Sequence, residues 1–273
     1  WDGIFYDNAW VDISWLTGKN ADTNVDGVSD QNVDALWRAG MSLLYKETRV
    51  AAGAKIFILG NGHQDGYTAE LNGKLIENFS RHSWGDIMKV YDGLGGAVSP
   101  RITILNENTN NAGSALDTRR MRFGLGSTLL LNGYYAFDFG DTAHEQLWWY
   151  DEYDVSLGSP KDKASSLSGF QMFSPDVWTR AFEHGLVVIN ATDHDVRVPL
   201  SGEYEKIRGT VDPAVNDGSI VSEVSVSSKD AIILRSLLGS APPAFLKNGS
   251  FVRFFDAEGK RVRNGFFAFD SRF

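Results

Sequence analysis

The chain has 273 residues, 42% of them hydrophobic and 22% charged, an ordinary globular balance that fits one large domain or two to three smaller ones. A net charge of -9 argues against a nucleic-acid backbone as the main partner. The absence of cysteine excludes disulfides, thiolate metal sites and a cysteine nucleophile.

In chain order, short apolar runs end repeatedly in an acid or an amide. They are Gly3-Ile4-Phe5-Tyr6-Asp7-Asn8, Ile56-Phe57-Ile58-Leu59-Gly60-Asn61, Lys74-Leu75-Ile76-Glu77-Asn78, Ile102-Thr103-Ile104-Leu105-Asn106-Glu107 and Tyr135-Ala136-Phe137-Asp138. Uninterrupted apolar runs suit strands buried on both faces, as in parallel sheets covered by helices. Between them, Val33, Leu36, Trp37, Gly40, Leu43 and Leu44 fall at helical spacing, which predicts a helix over 31–51. A second helix is expected over 84–94. A third is expected over 115–131, with Ser114 as its N-cap and Asn132-Gly133 as its stop. The 62–72 connection is too short for a long helix. Five parallel strands in about 158 residues fit strands 4–8 of a (β/α)8 barrel, with an open doubly wound sheet as the competitor.

From about residue 180 the texture changes. Leu186–Asn190, Val196–Leu200, Tyr204–Ile207, Val224–Val226 and Ala231–Leu234 read as short strands, separated by turn signals such as Ser201-Gly202 and Asn216-Asp217-Gly218. The expectation is an α/β fold: a partial barrel over 1–158, then a connector and small antiparallel β-sandwich over 159–240. Ala241-Pro242-Pro243 marks a linker, and 241–273 opens a further β module. No stretch approaches the roughly 20 apolar residues that span a bilayer, and none reads as a signal peptide. The chain begins at Trp1 inside a strand pattern, without Met, so it is expected to be an internal piece of a longer protein. The first three barrel strands would supply part of the pocket, so the piece alone is expected to be inactive.

Chemistry in a β/α barrel sits at the carboxyl ends of the strands. Asp7 and Glu77 end strong strand patterns and are each followed by Asn and a loop, which makes them the candidate catalytic pair for a glycosidic bond. Helix capping or salt bridging at loop starts would place acids there equally well. Their spacing suits either a retaining or an inverting separation. Asn8, Asn61, Asn106, Glu107 and Asp138 would line the same rim, where amides and acids suit sugar hydroxyls; turn chemistry also favours them. Trp148 and Trp149 offer flat surfaces for sugar stacking or a hydrophobic plug, with Asp151 and Glu152 as reserve acids. Asp22, Asn24, Asp26 and Asp30 follow the first half of a calcium loop, with Gly27 at position six. Position twelve is Val33, and Asp34 comes one residue late. A structural calcium is the one cofactor this suggests. The five histidines show no metal spacing, and no phosphate-binding loop is present.

The Asp2–Asn8 strand end, the Asp-rich loop, Gly60-Asn61-Gly62, Leu75-Ile76-Glu77-Asn78-Phe79, Trp149–Asp154 with Leu157-Gly158, and Arg180–Asn190 together resemble the hypothetical glycosyl-hydrolase-like barrels. The family numbered fifteen is the most similar, over about 1–238. The resemblance implies a (β/α)8 barrel followed by a β-sandwich, and action on a polysaccharide or oligosaccharide. The alternative is a non-catalytic carbohydrate-binding or scaffolding domain of a large envelope protein. More distantly, acids on strands four and six resemble those of the alpha-galactosidase clan, which implies nucleophile for Asp7 and proton donor for Glu77, where this chain has Glu in place of that clan's Asp. Phe254–Lys260 with Phe266–Phe269 looks like the opening of an FG-GAP-type repeat, which implies a multidomain protein, extracellular or at the cell surface.

Overall fold

The structure, a computed structural model, describes residues 2–17, 21–62, 66–94 and 97–237 and, as backbone alone, 250–255 and 261–269. It forms two compact units, residues 1–107 with 132–136 and residues 108–131 with 137–273.

Five strands, β1 (Gly3–Tyr6), β2 (Phe57–Asn61), β3 (Gly73–Ile76), β4 (Ile104–Asn108) and β5 (Tyr134–Asp138), lie side by side in sequence order. The pairs β1–β2, β2–β3 and β3–β4 are parallel, as uninterrupted apolar runs with intervening helices predict. The helices are α1 (Ser14–Thr17), α2 (Val33–Ala52), α3 (Trp84–Gly93) and α4 (Thr118–Leu129). The first residues expected of the third long helix instead form a turn. Ser114 accepts hydrogen bonds at its carbonyl from Asp117 N and at its hydroxyl from Leu116 N, so Asp117 rather than Ser114 stands at the N-cap.

Register sets the two faces of the parallel sheet. Phe5 lies level with Leu59, Asn61 with Leu75, and Leu75 with Ile104, so alternation places all five on one face. Tyr6, Ile58, Gly60, Ile76 and Leu105 occupy the other. On that second face Tyr6 and Ile58 pack with Met41 and Tyr45 of α2 and with Tyr67 and Leu71. Tyr45 stands edge-on to both Tyr6 and Tyr67, with ring centroids 5.2 Å apart in each case. The first face is less covered: Phe5 is 49% exposed, and Leu59, Leu75 and Ile104 are half-buried.

The second unit holds a six-stranded sheet of order β10-β9-β11-β8-β7-β6, made of β6 (Ser165–Ser166), β7 (Val177–Phe182), β8 (Gly185–Asn190), β9 (Val196–Lys206), β10 (Ile220–Val226) and β11 (Asp230–Ser236). Each neighbouring pair in it, β10–β9, β9–β11, β11–β8, β8–β7 and β7–β6, is antiparallel. The strands expected at 196–200 and 204–207 are one strand. Leu200 to Glu203 bulge where the register against β10 shifts between Val221 and Glu223, so Ser201-Gly202 marks a bulge and not a turn. Val188, Ile232 and Leu234 pack with Val198, Val224 and Val226 from the β9–β10 hairpin. The opposite faces of the same strands present Val187 and Ile233 to Leu125 and Leu129 of α4. Both faces of β8 and β11 are therefore covered, which is why they read as continuous apolar runs. Gly126 explains the Gly124-Leu125-Gly126 triplet: a Cβ there would strike the Ala231 side chain, so the glycine lets α4 lie close on β11. Strands β12 (Ser250–Phe255) and β13 (Arg261–Phe269) form an antiparallel pair. Among the described residues no helix is long and apolar enough to cross a membrane.

Candidate functional site

Parallel strands deliver their carboxyl ends to one edge of the sheet. Asp7 follows β1, Asn61 ends β2 and Glu77 follows β3. All three line one cavity of about 540 Å³, together with Asn8, Trp10, Gly62, Asn78, Arg81 and His82. The Asn61 amide nitrogen donates to Asp7 Oδ1 at 3.1 Å and to Glu77 Oε2 at 3.2 Å. A carboxylate only accepts, so the side of the amide that meets two of them must be the NH2 group, with one N–H for each acid.

The loops that carry these groups are tied down locally. Asn8 and Asn78 each follow a candidate acid, and both take the left-handed conformation (φ 55° and 52°), which asparagine tolerates better than most residues. Past Asn8, Ala9 N donates to Asn61 O at 2.5 Å. Gly62 runs so close to Ala9 that a Cβ would strike the Ala9 backbone. The Trp10 carbonyl accepts from Trp37 Nε1 and Tyr67 Oη, both at 2.8 Å, which fixes the tryptophan at the cavity wall. Past Asn78, a 3-10 turn over Phe79–Arg81 buries Phe79, and Ser80 N donates to Glu107 Oε2 at 2.6 Å.

The other residues expected at the rim are distributed differently. Glu107 is 2% exposed and holds the 79–81 turn from beneath; it and the buried Asn106 are outside the cavity lining. In the second unit, Asp138 is buried at the end of β5, and its Oδ2 lies 3.0 Å from His144 Nδ1. Trp148 is half-buried against Phe137 (centroids 6.0 Å apart), whereas Trp149 is 69% exposed and donates from Nε1 to Asp154 Oδ2. Trp10, Gly62, Asn78, Arg81 and His82 were not anticipated. The one sequence signal for Asn78, and indirectly for its neighbours, was the repeated acid–Asn pair.

The reserve acids Asp151 and Glu152 are anchors. Asp151 Oδ2 accepts from Thr210 N at 2.8 Å and Val211 N at 2.9 Å, and Glu152 Oε1 accepts from Asn216 Nδ2 at 2.8 Å. Burial pushes the Glu152 carboxyl above the usual range, against the pull of Asn216. A folded-state value above the unfolded one means that ionised Glu152 weakens the fold once the pH exceeds the ordinary carboxylate range. Glu152→Gln keeps the acceptor for Asn216 and removes the charge. It should therefore raise the unfolding midpoint at pH 7 by a few degrees, on the order of 1 kcal/mol, with the gain vanishing below about pH 4. Thermal melts at the two pH values check this.

In the acidic loop, Asp22 accepts from Asp26 N and Gly27 N, Asp26 from Val28 N, and Asp30 from Thr23 N and its hydroxyl. Asp34, the acid one residue late, accepts from Ile13 N, Ser14 N and Ser14 Oγ. Among the described residues no group of three His, Cys, Asp or Glu side chains is arranged to hold a metal ion.

No curated protein matches the chain. A family model, by contrast, matches residues 1–186, which contain the whole cavity lining and the Trp149–Asp154 run. Over two thirds of its length, and at the strand ends that carry the paired acids, the chain belongs to hypothetical glycosyl hydrolase family 15.

Proposed function

We propose that Asp7 and Glu77 are the carboxyl pair of a retaining glycoside hydrolase site to which this chain contributes, at the open rim of a (β/α)8 barrel. One observation carries this reading: a single amide, Asn61, is hydrogen-bonded to both acids inside one cavity. Two acceptors on the two N–H bonds of a single amide nitrogen are held close together, which suits the retaining separation of about 5–5.5 Å. The shorter separation suits direct attack by one carboxylate, with no water lodged between it and the sugar.

Glu77, as the acid, gives its proton to the glycosidic oxygen while the Asp7 carboxylate attacks the anomeric carbon. The carbon–oxygen bond breaks, the alcohol leaves, and the sugar is held as an ester of Asp7. Water then attacks the same carbon, the Glu77 carboxylate takes its proton, and Asp7 is released. Trp10 offers a flat wall for the sugar ring, and the asparagines offer both donors and acceptors to its hydroxyls.

The sheet supports the barrel. Its helix-covered face suits the outer ring, and its less covered apolar face, with Phe5, Leu59, Leu75 and Ile104 below the polar rim, suits a barrel interior. The β9–β10 hairpin packed over β8 and β11 likewise supports a sandwich-like second unit. A second reading, carbohydrate binding without cleavage, is favoured by the exposed Trp149.

Incubating the intact protein with aryl glycosides and oligosaccharides and following the first anomer by proton NMR separates these readings. The expected first product keeps the configuration of the bond cleaved. An inverted first product ends the retaining assignment. Measurable affinity with no sugar released leaves only the binding reading.

A further inference from the structure

We infer that the cavity at Asp7 and Glu77 recognises an anionic saccharide, one whose carboxylate or sulfate group is held by Arg81 with His82 beside it. The inference deepens the hydrolase reading of the same cavity and rests on it for the cleavage step alone. A neutral sugar needs a flat apolar wall and amide-type hydrogen bonding, and Trp10 and the asparagines of the lining supply both. A cation is not part of that requirement. The Asp7 carboxylate in the lining, with the Glu77 carboxyl beside it, would by itself repel an anionic substrate. Arg81 and His82 line the same cavity and offset that repulsion.

Their placement is built into the fold. The left-handed Asn78 reverses the chain directly after Glu77, Phe79 is buried, and Ser80 N is held by the buried Glu107 carboxylate. The turn closes with Arg81 N donating to Asn78 O at 2.9 Å and His82 N to Phe79 O at 3.2 Å. His82 Nε2 lies 3.3 Å from the Glu77 carbonyl. A carbonyl only accepts, so Nε2 carries the hydrogen, and protonation adds a second donor at Nδ1. Arg81 and His82 thus return to the cavity within five residues of the acid they accompany. A guanidinium offers paired N–H groups to a carboxylate or sulfate, which a lysine in its place would not.

The test is calorimetric titration of the intact protein with matched oligosaccharides: uronic-acid-containing, sulfated and neutral. One anionic class should bind about ten- to a hundredfold more tightly than its neutral counterpart, the range expected of a charge-assisted hydrogen bond. The class that does so identifies the group. Arg81→Ala should collapse that preference to about twofold, and Arg81→Lys should keep part of it. Equal affinity of the wild-type protein for neutral and anionic ligands overturns the inference, whether or not the variants fold. So does a preference that survives Arg81→Ala, or an Arg81→Ala change confined to the pH–rate profile, which would make the arginine a counter-ion to the two acids. Selective binding of the anionic ligand with no cleavage would instead keep this inference and end the hydrolase reading.

Discussion

Asp7→Asn and Glu77→Gln should each lower turnover of an unactivated glycoside by about a thousandfold or more, while the unfolding midpoint stays within a degree or two of wild type. The stability expectation follows from position. Asp7 is exposed and Glu77 half-buried, and each amide replacement keeps an oxygen for the Asn61 N–H group. The two losses should differ in kind. A proton donor matters most when the leaving alcohol is a poor one, so Glu77→Gln should recover much of its rate on a glycoside of an acidic phenol. A missing nucleophile is not rescued by a better leaving group, so Asp7→Asn should stay slow on both substrates. Added azide should restart Asp7→Gly, whose missing carboxylate leaves it room, on a substrate with a good leaving group, and yield a glycosyl azide of inverted configuration. The reverse pattern exchanges the two roles. Full activity in both variants removes the pair from the chemistry altogether.

How much of this was legible in the sequence depends on whether the cause was local. The strands of the parallel sheet were readable because burial on two faces leaves a continuous apolar run, and the rim acids were readable because parallel strands bring their carboxyl ends to one edge. Helix α2 was readable from its apolar spacing. Trp10, Arg81 and His82 were not. They reach the cavity through two left-handed asparagines and a hydrogen bond to Glu107, whose carboxylate lies 27 residues from Ser80 in sequence. Glu107 itself looked like a rim residue because it ends a strand pattern, yet alternation turns it to the face opposite Asn61. Strand β7 was masked by Arg180, a charge in mid-strand. Its guanidinium is buried because it donates to Leu129 O and Leu131 O at the end of α4, a partner some fifty positions away. The bulge in β9 looked like a turn because serine and glycine serve both. In each case the missing information was a long-range partner, which propensity and periodicity do not encode.

The antiparallel unit should depend most on one buried charge cluster. Arg122, 3% exposed on α4, donates from Nε and Nη2 to the two Asp230 oxygens, both at 2.9 Å, and from Nη1 to Asp212 Oδ2 at 2.6 Å. Thr118 Oγ1 adds a 2.9 Å bond to the same Asp212 oxygen. Removing one partner of a buried pair leaves the other charge uncompensated, at a cost of about 3–5 kcal/mol. Asp230→Ala should therefore lower the unfolding midpoint by roughly 10 °C. Asp212→Ala should do less, because the Asp212 side chain is 20% exposed and water reaches the gap. Arg122→Met combined with Asp230→Leu and Asp212→Asn should recover much of the loss, since replacing a whole buried ionic group by neutral side chains is often close to neutral. The two acids of the cluster carry opposite signs: burial holds the Asp230 carboxyl above the usual range despite its bonds to Arg122, whereas Asp212 lies below it. Burial pulls its carboxyl upward, but the hydrogen bonds from Arg122 and Thr118 outweigh that and hold it below the usual range. A depressed folded-state value means stability that is present above the ordinary carboxylate range and is lost as the pH falls through the folded one. The Asp212 contribution should thus fall away below about pH 4, so Asp212→Ala should be less acid-sensitive than wild type over the same interval. Urea unfolding at pH 7 and pH 3 measures both effects. An Asp230→Ala midpoint that matches wild type at pH 7 would mean that the cluster does not hold this unit together.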